Sequence, residues 1–390
     1  MSFATKIEAA TPVGRDRALD GLRALAVAGV VVGHFLVMAL VPDAAGALRV
    51  KSPLTGLPDF APLSWALQLL ALFFLVGGYS AARSREHREY RPWIRRRLVR
   101  LVRPVVGVTA LLALSFPALA VLGVPSGTLR TTTALVIQPL WFIGVYGVVT
   151  ALTPVAAGMV RRWGAWAVVP LVLVVAVVDV LRYGGFAPGW IGLVNVLPGW
   201  AFAYVLGVAW ARGALSRRFA LGLVGLGAVL LVALVWRFGY PASVVGVPGA
   251  GRVNSHPPSL LVVALAMAQC GLAVLARDRL GAWLRRPRRW AAVAMLNLVA
   301  MTVFCWHQVA LVLLTSVTLP LDLQGLHQPP DGLAWAGWRL AWLPVHVGVL
   351  AGLVWAARRF EAPWTGTLKR LAPVAALAAL GFGAYALAVL

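Results

Sequence analysis

The stretch Leu19 to Phe35, LDGLRALAVAGVVVGHF, sets an arginine and a histidine inside an otherwise apolar run. A helix turns about 100° per residue, so the eleven steps from Arg23 to His34 come to about 1100°, three turns plus about 20°, with a rise of about 16 Å. The two side chains therefore share one helix face at different depths. Exposing either to hydrocarbon costs on the order of 3 kcal/mol, so this face is expected to line a protein interior or a watery cavity and to carry function. Asp20 stands one turn before the arginine. The plain alternative is a snorkelling arginine and a histidine packed between helices.

Working outward, the same apolar character repeats through the 390 residues, of which 61% are hydrophobic and 12% charged. The mean hydropathy is +0.85. Repeated apolar runs of about 20 residues predict an all-α fold, a polytopic transmembrane bundle of about 10–11 helices. Spans are expected near 21–41, 63–82, 104–124, 134–158, 164–182, 189–211, 219–238, 258–276, 291–316, 336–357 and 371–390. The first run could be read as a secretory signal, with Ala44, Ala45 and Ala47 after it, but its length and its Arg23 and His34 favour a retained helix.

A net charge of +23 would suit a nucleic-acid binder, but the distribution of the arginines argues against one. They collect in short loops on alternate sides: the N-terminus, Arg83 to Arg103, Arg161 with Arg162, Arg212 to Arg218, Arg277 to Arg289 and Arg358 to Arg370 hold 27 of the 35 lysines and arginines. The positive-inside rule puts these loops and the N-terminus in the cytoplasm, with the chain crossing the inner (plasma) membrane many times. The opposite loops, Pro42 to Pro62, Pro125 to Thr133, Gly184 to Pro188, Gly239 to Pro257 and Leu319 to Asp331, are rich in Gly and Pro and read as turns on the outer face. The expected organisation is a tail over 1–20, a membrane domain over 21–370 and an added helix over 371–390. Cys270 and Cys305 lie within apolar spans at no metal spacing, so no metal is expected.

Four further stretches have chemical content. YRPWIRRRLVRLVRP (Tyr90–Pro104) repeats Arg96, Arg100 and Arg103 at helical spacing, with Arg95 and Arg97 alongside, and predicts an amphipathic interfacial helix leading into the third span. It serves topology or anionic lipid on one reading and clamps phosphates, such as those of coenzyme A, on the other. LFFLVGGYSAAR (Leu72–Arg83) pairs two glycines, which mark close packing or a break. QPLWFIGVY (Gln138–Tyr146) contributes Trp141 and Tyr146, an aromatic belt or an acceptor-binding surface. NLVAMTVFCWHQ (Asn297–Gln308) puts Asn297 and His307 ten apart in the ninth span, about 80° from alignment, and His307 is either an acceptor-site residue or a packed core histidine. His346, His256 and His327 have weaker claims, and NSHPP (Asn254–Pro258) reads as a turn.

Taken together and in order, LDGLRALA with its spaced Arg and His, FFLVGGYSAAR, the WIRRRLVRLVRP block, PLWFIGVY and FCWHQ resemble the membrane acyltransferase family known as acyltransferase 3, across about 20–320. The resemblance implies transfer of an acyl group, commonly acetyl from acetyl-coenzyme A, to a hydroxyl of a carbohydrate, glycolipid or other small-molecule acceptor. It makes Arg23 and His34 the expected essential pair; Asp20, one turn before Arg23, is expected to orient it. It also implies an arginine pair after the second span, Arg95 with Arg97 or Arg97 with Arg100, with Arg96 alongside. The acceptor-binding candidates are His307, Trp141, Tyr146 and Asn297. Expected partners are membrane lipid, acyl-coenzyme A and the acceptor, with no nucleic acid. The family core is usually ten helices, so the eleventh would be an addition. Rival readings are a secondary transporter of an anionic solute and a cationic scaffold.

Overall fold

The helix that carries Arg23 and His34 runs from Arg17 to Val37 in the computed structural model, which describes residues 2–86, 88–247 and 251–390. It begins before residue 21 because the Asp16 carboxylate accepts the Leu19 amide at 3.2 Å, occupying one of the donors a first turn leaves open. It ends before residue 41, where the chain enters a strand.

In chain order the helices are α1 (Phe3–Ala9), α2 (Arg17–Val37), α3 (Ser64–Leu67), α4 (Leu70–Arg85), α5 (Tyr90–Val121), α6 (Ser126–Ile137), α7 (Leu140–Ala151), α8 (Thr153–Trp163), α9 (Val169–Tyr183), α10 (Val196–Ala211), α11 (Arg217–Trp236), α12 (Leu260–Trp283), α13 (Pro287–Leu298), α14 (Ala300–Thr318), α15 (Leu333–Ala357) and α16 (Gly366–Val389). Between α2 and α3 lies a hairpin, β1 (Ala39–Pro42) against β2 (Leu48–Lys51), with Ala39 opposite Lys51 and Pro42 opposite Leu48. Eleven stretches among the described residues are long and apolar enough to cross a membrane. The fold is an all-α polytopic bundle. The elements sort into two units: the chain up to Val30 with Phe60–Ile94 and Val145–Leu298, and Val31–Asp59 with Arg95–Gly144 and Val299–Leu390.

In the first unit α4 and α10 meet backbone to backbone. A Cβ on Gly78 would fall 2.0 Å from the Tyr204 carbonyl oxygen, and one on Gly207 would fall 1.9 Å from that of Leu75. Only glycine permits this approach, so the paired glycines of the second span serve helix packing. Gln269 of α12 donates from Nε2 to the carbonyls of Trp65 and Gln68, at 2.9 and 3.0 Å, satisfying the groups freed where α3 gives way to α4. At the end of α9 the buried Asp179 carboxylate accepts from Asn195 Nδ2, the Tyr240 hydroxyl and the Leu260 amide, all between 2.7 and 2.9 Å. NSHPP is a hydrogen-bonded turn held by Asn254, which donates to the Pro241 and Ser243 carbonyls.

In the second unit two expectations are corrected. The stretch Pro125–Thr133, expected as an outer loop, is mostly α6: Thr132 and Thr133 return their hydroxyls to the carbonyls of Thr128 and Leu129, so residues that look polar in sequence are satisfied within the helix. The ninth span, expected unbroken over 291–316, is two helices with a junction at Val299. Buried Glu361 stabilises the new N-terminus, its carboxylate accepting from the Met301 amide (3.3 Å), the Thr302 amide (3.0 Å) and the Thr302 hydroxyl (2.7 Å). An anionic acceptor at open helix N–H groups is favoured both by hydrogen bonding and by the helix dipole. Asn297 and His307 therefore stand on different helices and their angular relation on one helix does not hold. The interfacial helix leads straight into the third span, as expected, and the two form the single helix α5.

Candidate active site

The first unit holds the start of α2. Asp20 is buried, and its carboxylate takes two hydrogen bonds from Arg15, at 2.5 and 2.9 Å, while Arg23 Nη1 lies 3.8 Å away. The Asp20 hydrogen bond raises the pKa of Arg15 above its ordinary value against the opposing effect of burial. Arg15 is thus the closer partner of Asp20. Arg23 Nη2 also donates to the Ser80 hydroxyl of α4 at 3.3 Å. Asn297, at the end of α13, donates to the backbone carbonyl of Asp20 at 2.8 Å and to that of Val293 at 2.9 Å. Asn297 thereby braces the helix turn that carries Asp20.

The second unit holds the end of α2. His34 lies beside His307 of α14, with ring centroids 5.0 Å apart and planes tilted by 43°. His34 Nδ1 is 3.2 Å from Met38 Sδ, and Gln308 Nε2 reaches the same sulfur at 3.4 Å. A thioether only accepts, so His34 Nδ1 is the donor in this contact. His307 is fully buried and its Nδ1 is 2.6 Å from the Phe304 carbonyl, which likewise assigns the proton to Nδ1. Its Nε2 is buried and has no partner among the described residues. His307 is therefore held by Nδ1 and presents Nε2 as a proton acceptor.

The turn around His34 is fastened by Arg339 of α15, only 1% exposed. Its guanidinium donates to the carbonyls of Phe35 (2.5 Å), Met38 (2.6 Å) and Gly325 (3.3 Å). The first two are carbonyls near the end of α2 that no later helical turn satisfies. The Phe35 ring packs against His346 at 4.9 Å. His327 is tied into its loop by the Leu323 amide, the Thr318 hydroxyl and the Thr315 carbonyl, a structural histidine. Trp141 packs edge-on against Phe142, which in turn meets Phe304 one turn before His307. Arg95, Arg96 and Arg100 are exposed on α5 and Arg97 is half-buried. In the first unit, Tyr146 is buried against Phe73, Phe74 and Tyr204, and its ring covers Gly77.

An acyltransferase domain model of the acyltransferase 3 type matches residues 16–358, most of the chain. The chain belongs to the acyltransferase 3 family. No curated protein and no solved structure matches it. Family membership makes this a membrane-embedded O-acyltransferase, and the transporter and scaffold readings give way to it. The matched region ends before α16, the eleventh span.

Within this acyltransferase several polar residues escape a reading of the sequence. Met38 and Ser80 escape because a thioether and a lone hydroxyl in apolar helices have no signature of their own. Arg339 had one: GWRLAW places an arginine in an apolar run, the signal that singles out Arg23. Among the described residues no group of three or more His, Cys, Asp or Glu side chains is arranged to hold a metal ion.

Proposed function

We propose that this acyltransferase moves an acyl group, commonly acetyl, from acyl-coenzyme A to a hydroxyl of a carbohydrate, glycolipid or other small acceptor, with its N-terminus in the cytoplasm and the chain in the inner (plasma) membrane. The observation that supports it is the imidazole on α2, its Nδ1 against Met38, beside the buried His307 in a family that transfers acyl groups. His34 Nε2 takes the acceptor's hydroxyl proton as the oxygen attacks the thioester carbonyl. The C–O bond forms, the C–S bond breaks, and the thiolate leaving group takes the proton back from the imidazolium, so that His34 is restored. An alternative step in which His34 itself takes the acyl group, then passes it on, balances equally and would carry the group toward an outward-facing acceptor.

Arg23, two turns into α2 from its cytoplasmic end, is assigned to the donor's anionic groups, with Asp20 and Ser80 orienting it. Arg95, Arg97 and Arg100, with Arg96, are assigned to the donor's phosphates, which match guanidinium forks better than a point charge. Trp141, Tyr146, His307 and Asn297 are assigned to the acceptor side. The membrane domain is assigned to 21–370 and the helix after it to an addition outside the catalytic core.

The test is purified full-length protein with labelled acetyl-coenzyme A and an extract of glycans and lipids, read by mass spectrometry. His34→Ala is expected to lower transfer by about 10²- to 10⁴-fold, the range of one general base. Normal transfer by His34→Ala at wild-type expression overturns the assignment. Arg→Lys at 95, 97 and 100 separates a bidentate clamp, which loses donor affinity, from simple charge, which does not.

A further inference from the structure

In the first unit, the ends of α4 and α10 and one side of α8 enclose an open cavity of about 300 Å³. Its wall carries four arginines and one carboxylate: Arg83, Arg85 and Glu86 at the end of α4, Arg161 on α8 and Arg212 just past α10. Among the described residues Glu86 forms an ion pair only with Arg83, at 3.8 Å. Among the described residues no carboxylate lies within ion-pair distance of Arg85, Arg161 or Arg212. Arg212 is anchored by donating from Nη1 to the Ala157 carbonyl at 3.0 Å, which holds its remaining donors at the cavity wall. Like charges gathered around one concave space repel one another unless an anion is shared between them.

We propose that this cavity binds a phosphate group. Guanidinium forks match phosphate oxygens in pairs, and the volume suits a glycerophosphate-sized moiety. The membrane spans Pro58–Arg85 and Gly189–Ala211 both end at the cavity, the depth at which lipid phosphates lie. None of its lining residues belongs to the donor clamp assigned to Arg95–Arg100, and the phosphate site does not depend on that clamp. The phosphate comes either from an anionic lipid headgroup or from a soluble phosphate ester.

The experiment titrates the purified full chain in neutral detergent with phosphatidylglycerol in one arm and glycerol phosphate in the other, reading thermal unfolding and bound adducts by native mass spectrometry. Phosphatidylcholine is the uncharged-headgroup control. A saturable rise in Tm with phosphatidylglycerol alone identifies a lipid headgroup; a rise with glycerol phosphate as well identifies a soluble ester. In either case the apparent Kd is expected to weaken at least about tenfold in R83Q/R161Q, the loss of charge-assisted hydrogen bonds. Both arginines are exposed, so the unliganded protein should keep its Tm; where it does not, the single variants R83Q and R161Q replace the double. R217Q/R218Q, which removes two exposed arginines outside the cavity, should leave binding unchanged. Protection by neither ligand, or equal loss in both double variants, overturns the proposal.

Discussion

Replacing Arg339 with methionine removes the donor of three hydrogen bonds at once. Phe35 and Gly325 would be left with buried carbonyls, and Met38 with a half-buried one, that no helical turn serves. A hydrogen bond to a charged donor is worth about 1.5–3 kcal/mol, and an orphaned buried acceptor costs about 1–3 kcal/mol. Burying a guanidinium is itself unfavourable, and its removal recovers part of that loss. A net destabilisation of about 3 kcal/mol remains, which in a chain of this length corresponds to a fall in Tm of roughly 5 °C. Because His34 precedes Phe35 directly, loosening this turn also displaces the imidazole, and misplacement on the order of 1 Å costs about tenfold or more in rate. Arg339→Lys keeps the charge but not the fork and should fall between the two. The assay is tryptophan-fluorescence unfolding of the detergent-purified protein, paired with acyl transfer. If Arg339→Met melts within about 1 °C of wild type and transfers acyl groups normally, the turn does not depend on those three bonds.

Three other outcomes follow from the same reasoning. Gly207→Ala sets a Cβ 1.9 Å from the Leu75 carbonyl oxygen, against backbone that cannot rotate away, and should cost about 1–3 kcal/mol or more in thermal unfolding; Gly222→Ala, whose Cβ meets nothing within 4 Å, should leave Tm unchanged. Glu361→Gln keeps the shape but removes the charge at the start of α14, and a lowered stability of about 1–2 kcal/mol is expected, with hydrogen exchange rising first at Met301 and Thr302. His307→Asn retains a donor for the Phe304 carbonyl but has no basic nitrogen, so the protein should fold while acyl transfer falls by about 10²-fold; full activity would make His307 a packing residue.

Much of this protein is legible along the chain because lipid imposes its rules locally. Apolar length, loop arginines and the spacing of Arg23 and His34 on α2 are one-dimensional signals, and they specify an all-α bundle and the ordered motifs of its family. The helix joints are not of that kind. The break at Val299 depends on Glu361, some sixty residues later, whose carboxylate takes over donors that no nearby side chain could satisfy. Likewise the turn after His34 is fastened by Arg339, some three hundred residues later, whose guanidinium serves the Phe35 and Met38 carbonyls. The chain itself determined that the protein spans a membrane and where its unusual polar residues lie, since hydropathy is a property of each segment alone. Tertiary structure decided which helix start is capped and which buried carbonyl is satisfied, because Glu361 and Arg339 are brought to those groups from elsewhere in the chain.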